Sequence, residues 1–249
     1  MFYHYIAIAS DFVNGKRIAW HYPSDEKLDK ERIRQFMKNA EKQGSTFFGV
    51  HKLTTHSKDW ESVVEKDSFF EDVLATENED ELFRMLEEDK EIYAMDVATF
   101  ILALKSMSHL KLQKLLYLAY ADYLSRYKEP LFKDDIVSYK YGPIVEKVYQ
   151  LFKKYGAEEI TDSEKYAFCV KDTVVPPLLM KLSNSNKGEE AIESILNTID
   201  HYESYTANQL VTLTHSKDSP WSKTYSTDQK NTVIIDENIL KYHVNESIV

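Results

Sequence analysis

The 249-residue sequence predicts an α+β protein in two parts, a small N-terminal α+β domain of ββαβ-like order and a mainly helical C-terminal domain. Three observations predict it. Short runs of aromatic and β-branched residues flank an Asn-Gly pair near the start of the chain. From Val97 onward, apolar residues recur at helical spacing. Between these regions, from Asp59 to Glu91, fourteen Asp/Glu face three Lys/Arg, a segment charge of −11 in a chain whose total is −10. The boundary is therefore placed at 1–92 and 93–249, with residues 59–91 read as an acidic helical segment.

In order, Tyr3 to Ala9 reads as a strand, Asn14-Gly15 as a turn, and Lys16 to Tyr22 as the returning strand. Asp29 suits an N-cap for a helix carrying Ile33, Phe36, Met37 and Ala40, and Gly44 suits its C-terminal end. Phe47, Phe48, Val50 and Leu53 predict a third strand. Inside the acidic segment, Leu82, Phe83 and Leu86 form one apolar stripe. In the second part, Val97, Phe100, Ile101 and Leu104 mark one helix. Leu112, Leu115, Leu116, Ala119 and Tyr123 mark another, capped by Ser108. Pro130 and Asp134-Asp135 break the pattern, and Asp134-Asp135 reads as a turn and cap feature. Val145, Val148, Tyr149 and Phe152 mark a third helix closed by Gly156. Pro176-Pro177 and Ser183 to Gly188 read as loops. Ile192, Ile195, Leu196, Ile199 and Tyr202 make a fourth helix. Thr206 caps a fifth with Leu210 and Leu213, and Ile235 to Tyr242 a last short element.

Composition narrows the function. An apolar share of 43% supplies a core. No stretch nears the roughly 20 apolar residues of a membrane helix, and MFYHYIAIASDF reads as a strand instead of a signal peptide. The single cysteine, Cys169, allows no internal disulfide and fits a reducing cytoplasm, so a cytoplasmic location without membrane contact is expected. The six glycines are too dispersed to cradle a phosphate. The acidic balance disfavours nucleic acid, whose binding energy comes from neutralised phosphates, and favours a basic protein surface. There is no HExxH, no CxxC, and no Cys/His nucleophile set around Cys169. His51 and His56 would need two more ligands to hold zinc. No catalytic residue, metal or cofactor is expected.

Three stretches carry a family likeness: LKLQKLLYLAYADYL from Leu110, DDIVSYKYGPIVEKVYQLFKKYG from Asp134, and LTHSKDSPW from Leu213 followed by IIDENILKYH from Ile234. Together, over roughly residues 93 to 245, they resemble the Panacea (SocA-like) antitoxin domain. Residues 1–92 lie outside the likeness and hold no helix-turn-helix. The resemblance implies a helical antitoxin domain of a type II-like toxin–antitoxin system that neutralises a cognate, co-encoded toxin by direct binding. It also implies a rival role, a proteolytic adaptor that hands the bound toxin to a protease. An enzyme built on the N-terminal domain is the third reading.

Leu112, Leu115 and Tyr117 are read as core of the motif helix, with Lys111, Gln113 and Lys114 on its other faces. A solvated helix start is preferred for Gln113 and Lys114; the sharper role is to hold a neighbouring loop or touch the partner. Gly142 supplies an unusual backbone angle and Pro143 sits near a first helical turn. Tyr139 and Tyr141 divide between core and interface. His215 is read as a helix-end hydrogen bonder in preference to a metal ligand or an acid/base. Pro220-Trp221 is read as a corner packed on the bundle. Toxins like those of this family often act on RNA or nucleotides, so their active surfaces should be basic. Glu77, Glu79, Asp80 and Glu81 are accordingly candidate partner contacts, beside the plainer reading of a solvated helix.

Overall fold

The computed structural model describes residues 1–11, 16–45, 47–161, 176–228 and 231–243. It divides into two compact units, Met1–Lys90 and Glu91–Val249. The Asn14-Gly15 turn and Cys169 lie outside the described residues.

The first unit runs β1 (Phe2–Asp11), β2 (Lys16–Ser24), α1 (Lys30–Lys42), β3 (Gly49–Thr55), α2 (Trp60–Lys66), β4 (Val73–Thr76) and α3 (Glu79–Lys90). The sheet order is β3-β1-β2-β4, with β1 antiparallel to both neighbours and β4 parallel to β2. Successive side chains of a strand point to opposite faces, and here both faces are covered. Tyr5, Ala7, Ile18, Trp20 and Tyr22 pack with Phe36 and Ala40 of α1 and with Leu82, Phe83 and Leu86 of α3. Ile6, Ile8 and Ala19 pack on the other side with Val63, Phe70 and Val73. Trp20 stacks on Phe36 at 4.1 Å and donates Nε1 to the Glu77 carbonyl at 3.2 Å. Asp29 caps α1 by accepting from the Glu31 amide, as expected.

Two expectations change in this unit. The third strand begins at Gly49, not Phe47, because only Phe48 turns into the core while Phe47 is 93% exposed. Residues 59–91 are not one helical segment. The Val-Leu-Ala-Thr run at 73–76 is short, mostly apolar and in register with Arg17–Trp20, so it forms β4 between two helices. The stripe of Leu82, Phe83 and Leu86 is buried as its spacing predicts.

The second unit runs α4 (Ala94–Leu104), α5 (His109–Tyr127), β5 (Ile136–Tyr139), β6 (Gly142–Val145), α6 (Glu146–Phe152), α7 (Pro176–Asn184), α8 (Gly188–Tyr202), α9 (Ala207–Thr214), α10 (Pro220–Thr224), β7 (Thr232–Val233) and α11 (Asp236–His243). Its centre is α5. Every residue from Leu112 to Leu124 is buried, because α4, α6, α8, α9, α11 and β6 pack around that helix. A helix apolar on one stripe would expose its other side; one enclosed on all sides must satisfy its polar residues internally. Ser108 and Thr206 cap α5 and α9 as expected. Asp134 accepts from the Ala94 amide at 2.8 Å and so caps α4 from outside it. Pro176-Pro177 opens α7 instead of forming a loop, the position where prolines cost a helix least. A three-stranded sheet of order β6-β5-β7 flanks the helices.

Candidate partner-binding site

The hairpin β5–β6 is joined by Lys140 and Tyr141, with Tyr139 paired to Gly142 and Ser138 to Pro143. Gly142 and Pro143 thus belong to a strand and not to a first helical turn. Pro143 is tolerated because β6 is an edge strand, where a missing N–H costs little. Gly142 has φ +102°, and a Cβ there would lie 2.6 Å from Lys114 Nζ and 3.0 Å from Thr214 Oγ1. The glycine is needed twice, for its backbone angle and for the space it leaves.

That space is filled by Lys114, which is fully buried and donates Nζ to the Pro143 carbonyl at 2.8 Å. Burial pushes its ammonium down to about 7. Gln113 completes the clamp: its Oε1 accepts from the Val145 amide at 2.8 Å and its Nε2 donates to the Val145 carbonyl at 3.4 Å. The solvated helix start expected for these two residues is therefore wrong. Their polar ends hold backbone groups of Pro143 and Val145 on β6, and both side chains are buried.

On its open side the hairpin borders a cleft of about 680 Å³, lined among others by His109, Gln113, Tyr139, Lys140, Tyr141 and Tyr149. That volume lies within the range of ligand-binding clefts. Tyr141 is 60% exposed with Lys140 Nζ 5.4 Å from its ring centre. Tyr139 is half-buried, lies 5.5 Å from Tyr149, and donates its hydroxyl to Glu146 at 3.1 Å. His109 leans on Tyr149 at 5.8 Å, and its Nδ1 is buried with no hydrogen-bond partner among the described residues. Burial, then the charge of Lys114, lowers its pKa. Of the two tyrosines, Tyr141 is presented to solvent and Tyr139 anchors the platform.

Behind the hairpin, Trp221 donates Nε1 to the Tyr139 carbonyl at 2.8 Å and stacks on His215 at 3.5 Å. Pro220 is buried at the start of α10, where Ser219 caps the helix. The corner packs as expected. His215 closes α9 through its backbone N–H, which donates to the Val211 carbonyl at 3.0 Å; its ring Nε2 is buried without a partner among the described residues, and burial, then the charge of Lys114, lowers its pKa. The ring's role is the stack beneath Trp221. Leu112, Leu115 and Tyr117 are core residues, and Tyr117 Oη lies 3.1 Å from His243 Nε2.

The acidic candidates fall elsewhere. Glu79, Asp80 and Glu81 occupy the first turn of α3, where carboxylates favour the helix dipole. Glu81 accepts from Thr76 Oγ1 at 2.6 Å, Glu79 from Asn39 at 3.3 Å, and Glu77 is exposed. The hairpin and these acids sit in different units. No group of three or more potential metal-ligating side chains occurs among the described residues. His51 packs against Phe69 and Phe70, and His56 lies 3.9 Å from Glu65.

One buried polar pair has no counterpart in the sequence reading. His4 Nδ1 and His21 Nε2 lie 2.8 Å apart, and His4 Nε2 lies 2.8 Å from Thr55 Oγ1. Alternation in β1 places His4 on the face of Ile6 and Ile8, which is the signal that could have revealed it. Burial, then the proximity of His4, pushes His21 down to about 4.

Residues 112–222 match the family model described as "Antitoxin SocA-like, Panacea domain". The match starts in the first turn of α5 and ends just past Trp221, inside the 93–245 stretch of the motif likeness. The chain is also similar to "Antitoxin SocA" of Caulobacter vibrioides (strain NA1000 / CB15N), 30% identical over 117 residues. That alignment covers 46% of this chain and spans 58% of the relative's length. No solved structure matches.

Proposed function

We propose, from the premise that the chain carries a SocA-like Panacea domain at residues 112–222, that it is an antitoxin acting by stoichiometric protein binding and not by catalysis. The observation that carries this reading is where the matched residues lie. They supply Gln113, Lys114, Tyr139, Tyr141, Gly142, Tyr149 and Trp221, which build one hairpin platform beside an open cleft. A tyrosine held on a braced hairpin offers apolar area and a polar tip at low entropic cost, a favourable arrangement for a protein interface. The cognate partner is a toxin encoded beside this chain.

The test is to express the product of the neighbouring reading frame, alone and with this chain, in cells lacking energy-dependent proteases. Restored growth and a stable co-purifying complex are expected. Loss of rescue in the protease-deficient host alone would favour the proteolytic adaptor; loss in every host would overturn the antitoxin reading. Tyr141→Ala should raise the Kd for that toxin about tenfold or more, roughly 1.4 kcal/mol, at unchanged thermal stability.

A further inference from the structure

The face of α8 turned to solvent is acidic. Glu189, Glu190, Glu193 and Asp200 are exposed, and no Lys or Arg occurs between Gly188 and Tyr202. Where this helix crosses α5, a groove of about 420 Å³ is lined by Asp122, Arg126, Asn197, Thr198, Asp200, His201 and Tyr202. Asp122 belongs to the wall of that groove and is only 8% exposed. Its Oδ1 accepts from Arg126 Nε at 3.1 Å, whereas its Oδ2 is buried with no hydrogen-bond partner among the described residues. A carboxylate has about four acceptor sites, and a buried oxygen left without a donor carries a desolvation cost that a donor would remove.

We propose that this groove receives the guanidinium of an arginine from a protein partner, with Asp122 and Asp200 as its carboxylates. Rests on the antitoxin reading only the identity of that partner, the toxin. Three observations argue for a guanidinium. Asp122 already holds one through a single nitrogen, so the geometry suits a planar donor. The groove carries two carboxylates against one arginine, and the helix beside it adds exposed acids and no Lys or Arg, with His201 its one titratable base. Arg126 is itself loosely held: its side chain is 34% exposed, and its second contact is with Glu193 at 3.2 Å, an exposed pair worth little. An incoming arginine can displace it outward onto Glu193 and supply the donor that Oδ2 lacks. This also relocates acidic recognition of a basic surface from the α3 acids to the matched domain.

The probe is N-acetyl-arginine amide titrated into the full chain and followed by amide chemical shifts, with the neutral isostere N-acetyl-citrulline amide as control. Saturable shifts at Asp122, Arg126 and residues 193–202 are expected with the arginine probe at millimolar concentration, and none with citrulline. Asp122→Asn should abolish them. Asp200→Asn, at an exposed position, should weaken binding severalfold even if the first variant folds poorly. Arg126→Gln should strengthen binding severalfold, because it removes the resident competitor; a purely structural Asp122–Arg126 pair would not yield this gain. Absent shifts, equal response to citrulline, or weaker binding in Arg126→Gln would each overturn the proposal. With the neighbouring-frame toxin, equal neutralisation by wild type and the Asp122→Asn/Asp200→Asn variant sinks the groove while leaving the antitoxin reading intact. Failure of wild type to neutralise sinks that reading, and the arginine titration still decides the groove.

Discussion

His4 and His21 in the first unit and Lys114 in the second are all buried titratable groups, yet they are satisfied in different ways. The histidines bond each other and Thr55 within one sheet and its flanking turn. Burial lowers both pKa values, which favours their neutral forms. Lys114 instead crosses from a central helix to the backbone of a hairpin edge, at a sequence separation of 29. The first arrangement rigidifies a core. The second ties the core to the surface that the antitoxin reading uses, and it places the cost of a buried amine at Gly142 and Pro143 of the hairpin.

The largest test of this contrast is deletion of core bulk in the helix that carries the lysine. Leu115 is 1% exposed, so Leu115→Ala should cost on the order of 2–5 kcal/mol. Hydrogen exchange should show the loss across α4, α5, α8 and α9 while β1 and β2 keep their protection. Equal loss in both units would show that they unfold as one, and the contrast between them would lose its energetic meaning.

Next is Gly142→Ala, which forces a side chain onto φ +102° and into the space of Lys114 Nζ. A cost of about 1–3 kcal/mol is expected from the strained backbone, read as a lowered urea midpoint with an unchanged slope. A neutral result would mean that Lys114 can vacate the site freely.

The pH profile separates the two kinds of burial. For His21, lowered to about 4, the folded state refuses a proton that the unfolded state accepts near 6.5. Stability is full above pH 6.5 and is lost as pH falls toward 4. His243 in the second unit, also lowered to about 4 by burial, gives the same acid limb. Lys114 adds a limb of its own. With its pKa near 7 when folded and 10.5 when unfolded, its contribution is full above pH 10.5 and is lost as pH falls to 7. Lys111 and Lys187, both lowered by burial, share that sign. The second unit should therefore gain stability between pH 7 and 10, and Lys114→Met should flatten most of the rise. An unchanged slope in that variant would show that the amine is solvated.

The smallest effect belongs to the acids of α3. Reversing Asp80 to Lys places a cation at a helix start and should cost about 0.3–1 kcal/mol. Reversing Glu77, Glu79, Asp80 and Glu81 together should slow toxin association only if those acids meet the toxin, with the deficit shrinking as salt rises. A wild-type rate in low salt would assign them to the helix alone.

The elements with strong local signals were legible in the residues. β1 and β2 follow their aromatic and branched runs, α1 follows Asp29 and its apolar spacing, and the caps at Ser108 and Thr206 stand where their side chains predict. β4 was hidden because three apolar residues and a threonine inside a charge run carry too little pattern to outweigh it, and the partner strand lies far upstream. Gln113 and Lys114 were misplaced for a different reason. Periodicity marks which side of a helix is apolar, but it cannot show that neighbours enclose the polar side too. Their partners, Val145 and Pro143, are visible only once the hairpin folds back on α5. The Asp122 groove was invisible on the same grounds, since it needs α8 beside α5.

The stack of Trp221 on His215 has an optical consequence. Trp20 and Trp60 lie in the first unit, so Trp221 is the only indole of the second. Its N–H is committed to the Tyr139 carbonyl and its face to an imidazole. A protonated imidazole quenches an adjacent indole more strongly than a neutral one. With the other two tryptophans replaced by Phe, the light emitted by this chain becomes a gauge of the charge on His215 and of any strain transmitted through the hairpin strand.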